Sequence, residues 1–197
     1  IPEATFLPLP ANEDGGISAS SAEILLPAIK HASAVLIGCG LGRTEDTAAL
    51  VKFVIKAAEC PLVLDADALN SVCTEPEVLL SAKKVPIITP HMGEMARLCK
   101  KTPEEIAAAR TEIAADFSAR YNSVVVLKDA STVIASPNGD IFFNTTGNPG
   151  LSKGGSGDLL AGMIAALAAQ GFIETACAVC GVYLHGLAAD KAAYSLS

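Results

Sequence analysis

Short runs of Val, Ile and Leu recur along the chain at 34–37, Leu62–Leu64, 86–88 and Val124–Leu127. Each is too short for a helix and lacks the polar alternation of a half-exposed strand, so each predicts a strand covered on both faces. Segments with helical spacing separate them. Residues 45–58 carry Ala48, Leu50, Val51, Val54 and Ile55 as an apolar stripe. Residues 103–121 open on Thr102-Pro103-Glu104-Glu105, where Thr102 can cap, Pro103 fits the first turn and Glu105 completes a capping box. This alternation predicts an α/β fold, a mainly parallel sheet with helices on both faces.

The rhythm changes after Leu127. Runs at 124–128, 132–135 and 141–144 lie close together, with Pro137-Asn138-Gly139-Asp140 as a turn between the last two, and predict an antiparallel edge. A glycine-rich stretch follows, then a helix ending near Gly171. That helix has an apolar face of Leu159, Leu160, Met163, Ile164 and Leu167. A last helix over 173–194 is apolar on most faces and is expected to be buried. No repeat and no linker interrupts the pattern. The whole, 1–197, is expected to be one domain, trimmed at both ends, since it opens on Ile1-Pro2-Glu3 and stops at Ser197 in mid-helix.

In such sheets ligands bind beyond the carboxyl ends of the strands, and the unusual motifs fall there. Gly38-Cys39-Gly40-Leu41-Gly42 follows the first strand. It suggests a dinucleotide fingerprint, but the place of its last glycine is taken by Arg43. A tight turn or a backbone-lined ligand wall fits better. Asp65-Ala66-Asp67-Ala68-Leu69-Asn70 follows the second strand. Its acids either cap the next turn or hold ribose hydroxyls or metal-bound water. His91 stands between Pro90 and Gly93, with Glu94 at a helix start, and both are read as functional.

The strongest signal is Asn144–Met163, NTTGNPGLSKGGSGDLLAGM. It is no P-loop, because G-x-x-x-x-G-K-[ST] occurs nowhere. Gly154-Gly155-Ser156-Gly157 before a helix lets backbone N–H groups converge on an anion, and the helix dipole adds to the attraction. Asp158 in that place suits a carboxylate that takes the proton of a hydroxyl as a phosphoryl group arrives.

Composition adds limits. At 51% hydrophobic residues the chain can build a sizeable core, and no apolar run spans a bilayer. A net charge of −7 argues against nucleic acid as a partner but not against small anions met by local fields. The six cysteines are read as buried or free thiols of a reducing compartment, the cytoplasm, and the Cys177/Cys180 pair as no metal site.

Taken together, these motifs resemble the ADP/ATP-dependent NAD(P)H-hydrate dehydratase family, of ribokinase-like fold. The match runs over nearly the whole chain. NTTGNPGLSKGGSGDLLAGMIAAL is similar to the family's N-x-T-G-N-P-G-M-A-x-G-G-[ST]-G-D-V-L-A-G. TPHMGEMARL, LVLDADALN, IGCGLG and LKDAST resemble its other signatures. Sugar, hydroxyethylthiazole and pyridoxal kinases share only the GxGD turn and the layout. Two other readings stay open: a kinase that stops at a phosphorylated vitamin or sugar alcohol, and an inactive nucleotide-binding remnant.

The resemblance implies repair of the S form of hydrated NADH or NADPH. The terminal phosphate of ADP, or of ATP, is placed on the ring hydroxyl and then leaves as the double bond returns. It implies Asp158 as the catalytic residue and a substrate contact, with Gly154, Gly155, Ser156 and Gly157 as the anion hole. Asn148 shapes the phosphate pocket. Lys128, Asp129, Ala130, Ser131 and Thr132, with Gly157, line the adenine nucleotide. Gly40, Gly42 and His91 line the hydrated dinucleotide, and Glu94 and Asp65 order Mg2+ through water. It further implies a homo-oligomer, a tetramer in many members, and an epimerase as partner or fused domain.

The chain departs from the family at three places. Cys39 and Met92 replace prolines, and Asp129 replaces a glycine near the phosphate path, with Lys153 as a possible counter-charge. The family's amino-terminal strands and a short carboxyl-terminal segment have no counterpart in the 197 residues.

Overall fold

In the computed structural model, residues 3–196 are described. The elements run α1 Ser21–His31, β1 Val35–Ile37, α2 Glu45–Ala57, β2 Leu62–Leu64, α3 Asp67–Val72, β3 Ile87–Ile88, α4 Met92–Cys99, α5 Pro103–Ala108, α6 Arg110–Tyr121, β4 Val124–Leu127, β5 Val133–Ala135, β6 Ile141–Phe143, α7 Ser156–Ala169 and α8 Glu174–Leu196. Short 3-10 helices lie at Pro76–Ser81 and Pro149–Leu151. One sheet holds the strands in the order β1-β2-β3-β4-β5-β6, parallel from β1 to β4 and antiparallel from β4 to β6.

Two cores flank the sheet, and the strand period of two assigns residues to them. Leu62, Leu64, Ile88, Val125, Leu127 and Val133 face one layer with Val54, Ile55, Leu69, Met95, Ile106 and Phe117 of the helices α2 to α6. Val63, Ile87, Val124, Val126 and Ile134 face the other, against Leu160, Ile164, Cys177, Ala178 and Val182 of α7 and α8. This is the three-layer arrangement expected.

Several expectations need correcting. The first strand is only half-buried, because among the described residues it lies at the sheet's edge with a neighbour on one side only. Residues 103–121 form two helices rather than one, broken at Ala109, whose φ of −140° and ψ of 43° are not helical. The Thr102–Glu105 capping box is present as expected. Leu159 is exposed, not part of the α7 packing face. The last helix is buried on one side only. Cys177, Ala178 and Val182 pack inward, whereas Tyr183, Leu184 and Tyr194 are exposed. The six cysteines are free, as expected, with Cys177 buried and Cys180 exposed.

Ala66 carries local strain, with φ 49° and ψ −118°, a region that residues with a Cβ rarely adopt. The kink turns the chain sharply from β2 into α3 and leaves Asp65 at the strand's end. Ala66→Gly is expected to raise stability by about 1 kcal/mol, relief of strain exceeding the added freedom of the unfolded chain. A urea midpoint that falls in this variant would contradict that reading.

Candidate active site

Backbone pairing continues past the strand ends and assembles the rim. Asp65 N–H donates to Ile37 C=O at 3.1 Å, Thr89 N–H to Leu64 C=O at 3.1 Å and Lys128 N–H to Pro90 C=O at 2.8 Å. A parallel bridge sets His91 beside Lys128. Asp65, His91 and Lys128 therefore sit on adjacent strand ends.

The glycine turn after β1 leans directly on the next loop. Gly38 has φ +128°, and a Cβ placed there would lie 1.8 Å from the Asp65 carbonyl oxygen. Gly40 and Gly42 both have positive φ, with open space where a side chain would stand. Asp67 anchors this turn, accepting from Gly42 N–H at 3.0 Å and Arg43 Nε at 2.8 Å. Those contacts, the Arg43 hydrogen bond first, hold its carboxyl below the usual range. The second acid of the stretch thus braces the wall.

At the centre, Lys128 Nζ donates to Asp65 Oδ1 at 2.8 Å, and Asp65 is buried. A Cβ on Gly157 would stand 3.4 Å from that Nζ and 3.9 Å from Asp65 Oδ2, so the α7 N-terminus abuts the pair. The ligand atoms of Cys39, Asp65 and Asp158 all lie within 4.8 Å of one another. The Cys39 thiol is pushed up to about 11, by burial first and then by the two carboxylates.

The α7 N-terminus itself is uncapped. Gly155 precedes it in the left-handed region, φ 88°, and supplies no side-chain cap. Ser156 N–H donates to Lys153 C=O at 3.2 Å, and the N–H groups of Gly157 and Asp158 are left for an anion, with the Asp158 side chain exposed beside them.

His91 and Glu94 form a reciprocal capping box for α4. His91 Nδ1 accepts from Gly93 N–H at 2.9 Å and Glu94 N–H at 3.3 Å, and His91 N–H donates to Glu94 Oε2 at 2.8 Å. The other carboxylate oxygen of buried Glu94 faces His91 Nε2 at 3.4 Å. Glu94 is thereby occupied within its own turn and is not part of the Cys39–Asp65–Asp158 group. As oxygen donors for Mg2+, which is commonly held by one or two carboxylates plus phosphates, Asp65 and Asp158 fit.

The 128–132 loop joins β4 to β5. Asp129 is paired with Arg110 at the start of α6, so Arg110, not Lys153, is its counter-charge. Thr132 Oγ1 donates to Asp129 C=O at 3.2 Å and Ser131 Oγ to Asn144 C=O at 3.4 Å, with Ala130 exposed between.

Helix α8 braces the glycine-rich loop. Asn148 caps the Pro149–Leu151 turn by accepting from Gly150 N–H at 3.0 Å, and donates to Asp190 Oδ1 at 3.0 Å. Asp190 also accepts from Gly147 N–H at 2.8 Å, and these bonds hold its carboxyl below the usual range. Thr146 Oγ1 donates to Tyr183 C=O at 2.9 Å. Ser156 Oγ lies 3.4 Å from Nε2 of buried His185.

Sequence reasoning missed Arg110, His185 and Asp190, which lie far along the chain from the loops they hold and carry no local motif. It marks Cys39 only as a replacement for a proline, whereas the thiol sits among the central carboxylates.

Burial also pushes His185 below its ordinary value. The unfolded chain then takes up a proton before the folded one does, so this group's contribution is present above the unfolded value of about 6.5 and is lost as the pH falls through the folded value. Melting curves across that window are expected to show a smaller acid-side loss for His185→Gln than for the wild type. Equal losses would contradict it.

A separate cleft of about 330 Å3 between the Pro76–Ser81 turn, α4 and α6 is lined by Leu98, Cys99, Phe117 and Tyr121 and includes none of these rim residues.

A doubly covered, mainly parallel sheet whose strand ends meet a glycine-led helix N-terminus without a side-chain cap, with Asp158 exposed beside it, defines an α/β class whose site lies beyond the carboxyl ends of the strands. Comparison narrows it, for the NAD(P)H-hydrate dehydratase family model matches residues 4–196, and the chain belongs to that family. Its fold is ribokinase-like. The chain is 42% identical over 191 residues to the bifunctional NAD(P)H-hydrate repair enzyme Nnr of Moorella thermoacetica, covering 97% of this chain and 36% of that protein. It is 38% identical to the ADP-dependent (S)-NAD(P)H-hydrate dehydratase of Xanthomonas campestris pv. campestris, over 98% of this chain and 65% of that one. The crystal structure of ADP/ATP-dependent NAD(P)H-hydrate dehydratase from Bacillus subtilis, co-crystallized with ATP and Mg2+, superimposes with a TM-score of 0.70 at 33% identity, covering 89% of this chain and 68% of that one. The chain thus spans about a third of the bifunctional relative's length. Among the described residues no helix is long and apolar enough to cross a membrane.

Proposed function

We propose that the protein containing this chain dehydrates the S form of hydrated NADH and NADPH, using the terminal phosphate of ADP or ATP, in the cytoplasm. The observation that carries the reading is the meeting of Asp158, the Lys128–Asp65 pair and the uncapped start of α7 at one rim. A hydroxide is a poor leaving group and a phosphate a good one, which gives a ribokinase-like site a role in a lyase reaction.

In this scheme Gly154, Gly155, Ser156 and Gly157 receive the transferring phosphoryl group on backbone N–H groups that need no reorganisation as charge develops. Asp158 takes the proton of the ring hydroxyl while that oxygen attacks the terminal phosphorus. The new C–O–P linkage then breaks at carbon. Phosphate leaves with the bonding electrons, the ring loses a proton and the double bond returns. With ADP the balance is hydrate plus ADP giving NAD(P)H, AMP and phosphate. Lys128 holds Asp65 in place and offsets charge near the phosphates. Residues 128–132 face the nucleotide, and Arg110 neutralises Asp129 there. Gly40, Gly42 and His91 line the hydrate, and Asn148, held by Asp190, shapes the phosphate pocket. Asp65, with Asp158, would hold Mg2+ through water, and the ion would supply charge neutralisation on the phosphates. The exposed apolar residues of α8 suit a homo-oligomer, and an epimerase domain is the expected companion.

The test is stoichiometry. One phosphate released per NADH restored supports the scheme. A stable phosphorylated product without return of NADH would point to a kinase instead.

A further inference from the structure

We infer that Cys39, Asp65 and Asp158 form a binding site for a thiophilic divalent cation of the zinc class, which takes the same two carboxylates that suit magnesium and adds the thiolate, and that its occupancy shuts the rim. The sulfur and the two carboxylates already lie within 4.8 Å of one another, and they are the one group of three such donors among the described residues. Zinc holds thiolate sulfur at about 2.3 Å and carboxylate oxygen at about 2.0–2.2 Å, so tetrahedral donors stand roughly 3.5 Å apart. Asp158 is exposed and Cys39 half-exposed, while Asp65 is fixed by burial and by Lys128 on Oδ1. One rigid donor and two adjustable ones suit capture of an ion from solution.

The donor set selects the metal. Magnesium and calcium take oxygen ligands, whereas a thiolate favours zinc, cadmium or cobalt. Charge agrees with this choice. Two carboxylates and a thiolate against one Lys128 ammonium leave two negative charges, which a dication neutralises. On binding, the thiol proton passes to water and the ion takes the Asp158 oxygen that would otherwise accept the substrate's proton. Lys128 keeps its own oxygen of Asp65, so the ammonium stays in place, and the ion competes with magnesium for the two carboxylates. The loss of turnover rests on the dehydratase reading, whereas the binding does not.

The test uses the native full-length protein, freed of metal and titrated with Co2+ as a spectroscopic probe and with Zn2+. The expected result is a thiolate-to-cobalt charge-transfer band that excess Zn2+ abolishes. Cys39→Ala should remove the band and weaken Zn2+ binding at least roughly tenfold. Cys180→Ser should keep both, and Zn2+ should inhibit the wild type far more than Cys39→Ala. Cys39→Ser, close to cysteine in size, serves as the second variant, with folding of each checked by circular dichroism. No Cys39-dependent band, or equal Zn2+ affinity in wild type and Cys39→Ala, overturns the site. A Cys39-dependent band in a protein that turns over normally with zinc bound overturns the shut-off. A Cys39-dependent band in a protein that never dehydrates the hydrate upholds the metal site and sinks the dehydratase reading instead.

Discussion

Asp158→Asn is expected to lower turnover of hydrated NAD(P)H by roughly a hundred- to ten-thousand-fold while nucleotide binding is kept. The amide preserves the shape of the side chain but cannot take a proton. The backbone donors at the start of α7, those of Gly155 and Gly157 among them, are untouched, because they need no help from that side chain. Removing one negative charge beside an anion site favours the nucleotide, and Asp65 with the phosphates remains to hold Mg2+. The two readouts therefore separate: the rate falls and the nucleotide dissociation constant stays or improves. A variant that turns over like the wild type would mean that another group takes the proton. Loss of nucleotide binding would mean that Asp158 serves mainly to hold Mg2+ for the nucleotide rather than to take the proton.

Gly38→Ala is expected to cost about 3–5 kcal/mol and to lower the melting temperature by roughly 10 °C. Two effects add at this position. The φ of +128° is strained for any residue with a Cβ, and the added carbon would sit 1.8 Å from the Asp65 carbonyl oxygen and 2.8 Å from the Ala68 Cβ. Neither neighbour is a flexible side-chain end, so the β1 turn or the Asp65 loop must move. Gly40→Ala is the control. Its φ of +66° carries the conformational cost, but nothing lies within 4 Å of the new carbon, so about 1 kcal/mol is expected. Equal melting temperatures for the two variants would mean that the close approach at Gly38 is not real.

The glycine turn and the rim were legible in the sequence because each rests on local chemistry. Buried strands declare themselves as unbroken Val, Ile and Leu runs, and Thr102 and Glu105 cap as their spacing predicts. What stayed hidden depends on long-range pairing. Arg110 neutralises Asp129 from 19 residues away and Asp190 holds Asn148 from 42 residues away, and no pattern along the chain marks either pair. The Ala109 break escaped because both halves of 103–121 keep helical spacing. The one-sided burial of α8 escaped because small, apolar residues allow burial without requiring it. At Glu94 the residue type suggested chemistry, and the structure adds a reciprocal cap with His91.

The most direct test of the central claim is to incubate the native full-length protein with S-NADH hydrate, Mg2+ and either ADP or ATP, and to follow the near-ultraviolet absorbance of reduced nicotinamide. A rise that requires the nucleotide is the predicted result, and the donor that supports it identifies the co-substrate. No rise with either donor, from protein shown to be folded, would contradict the account.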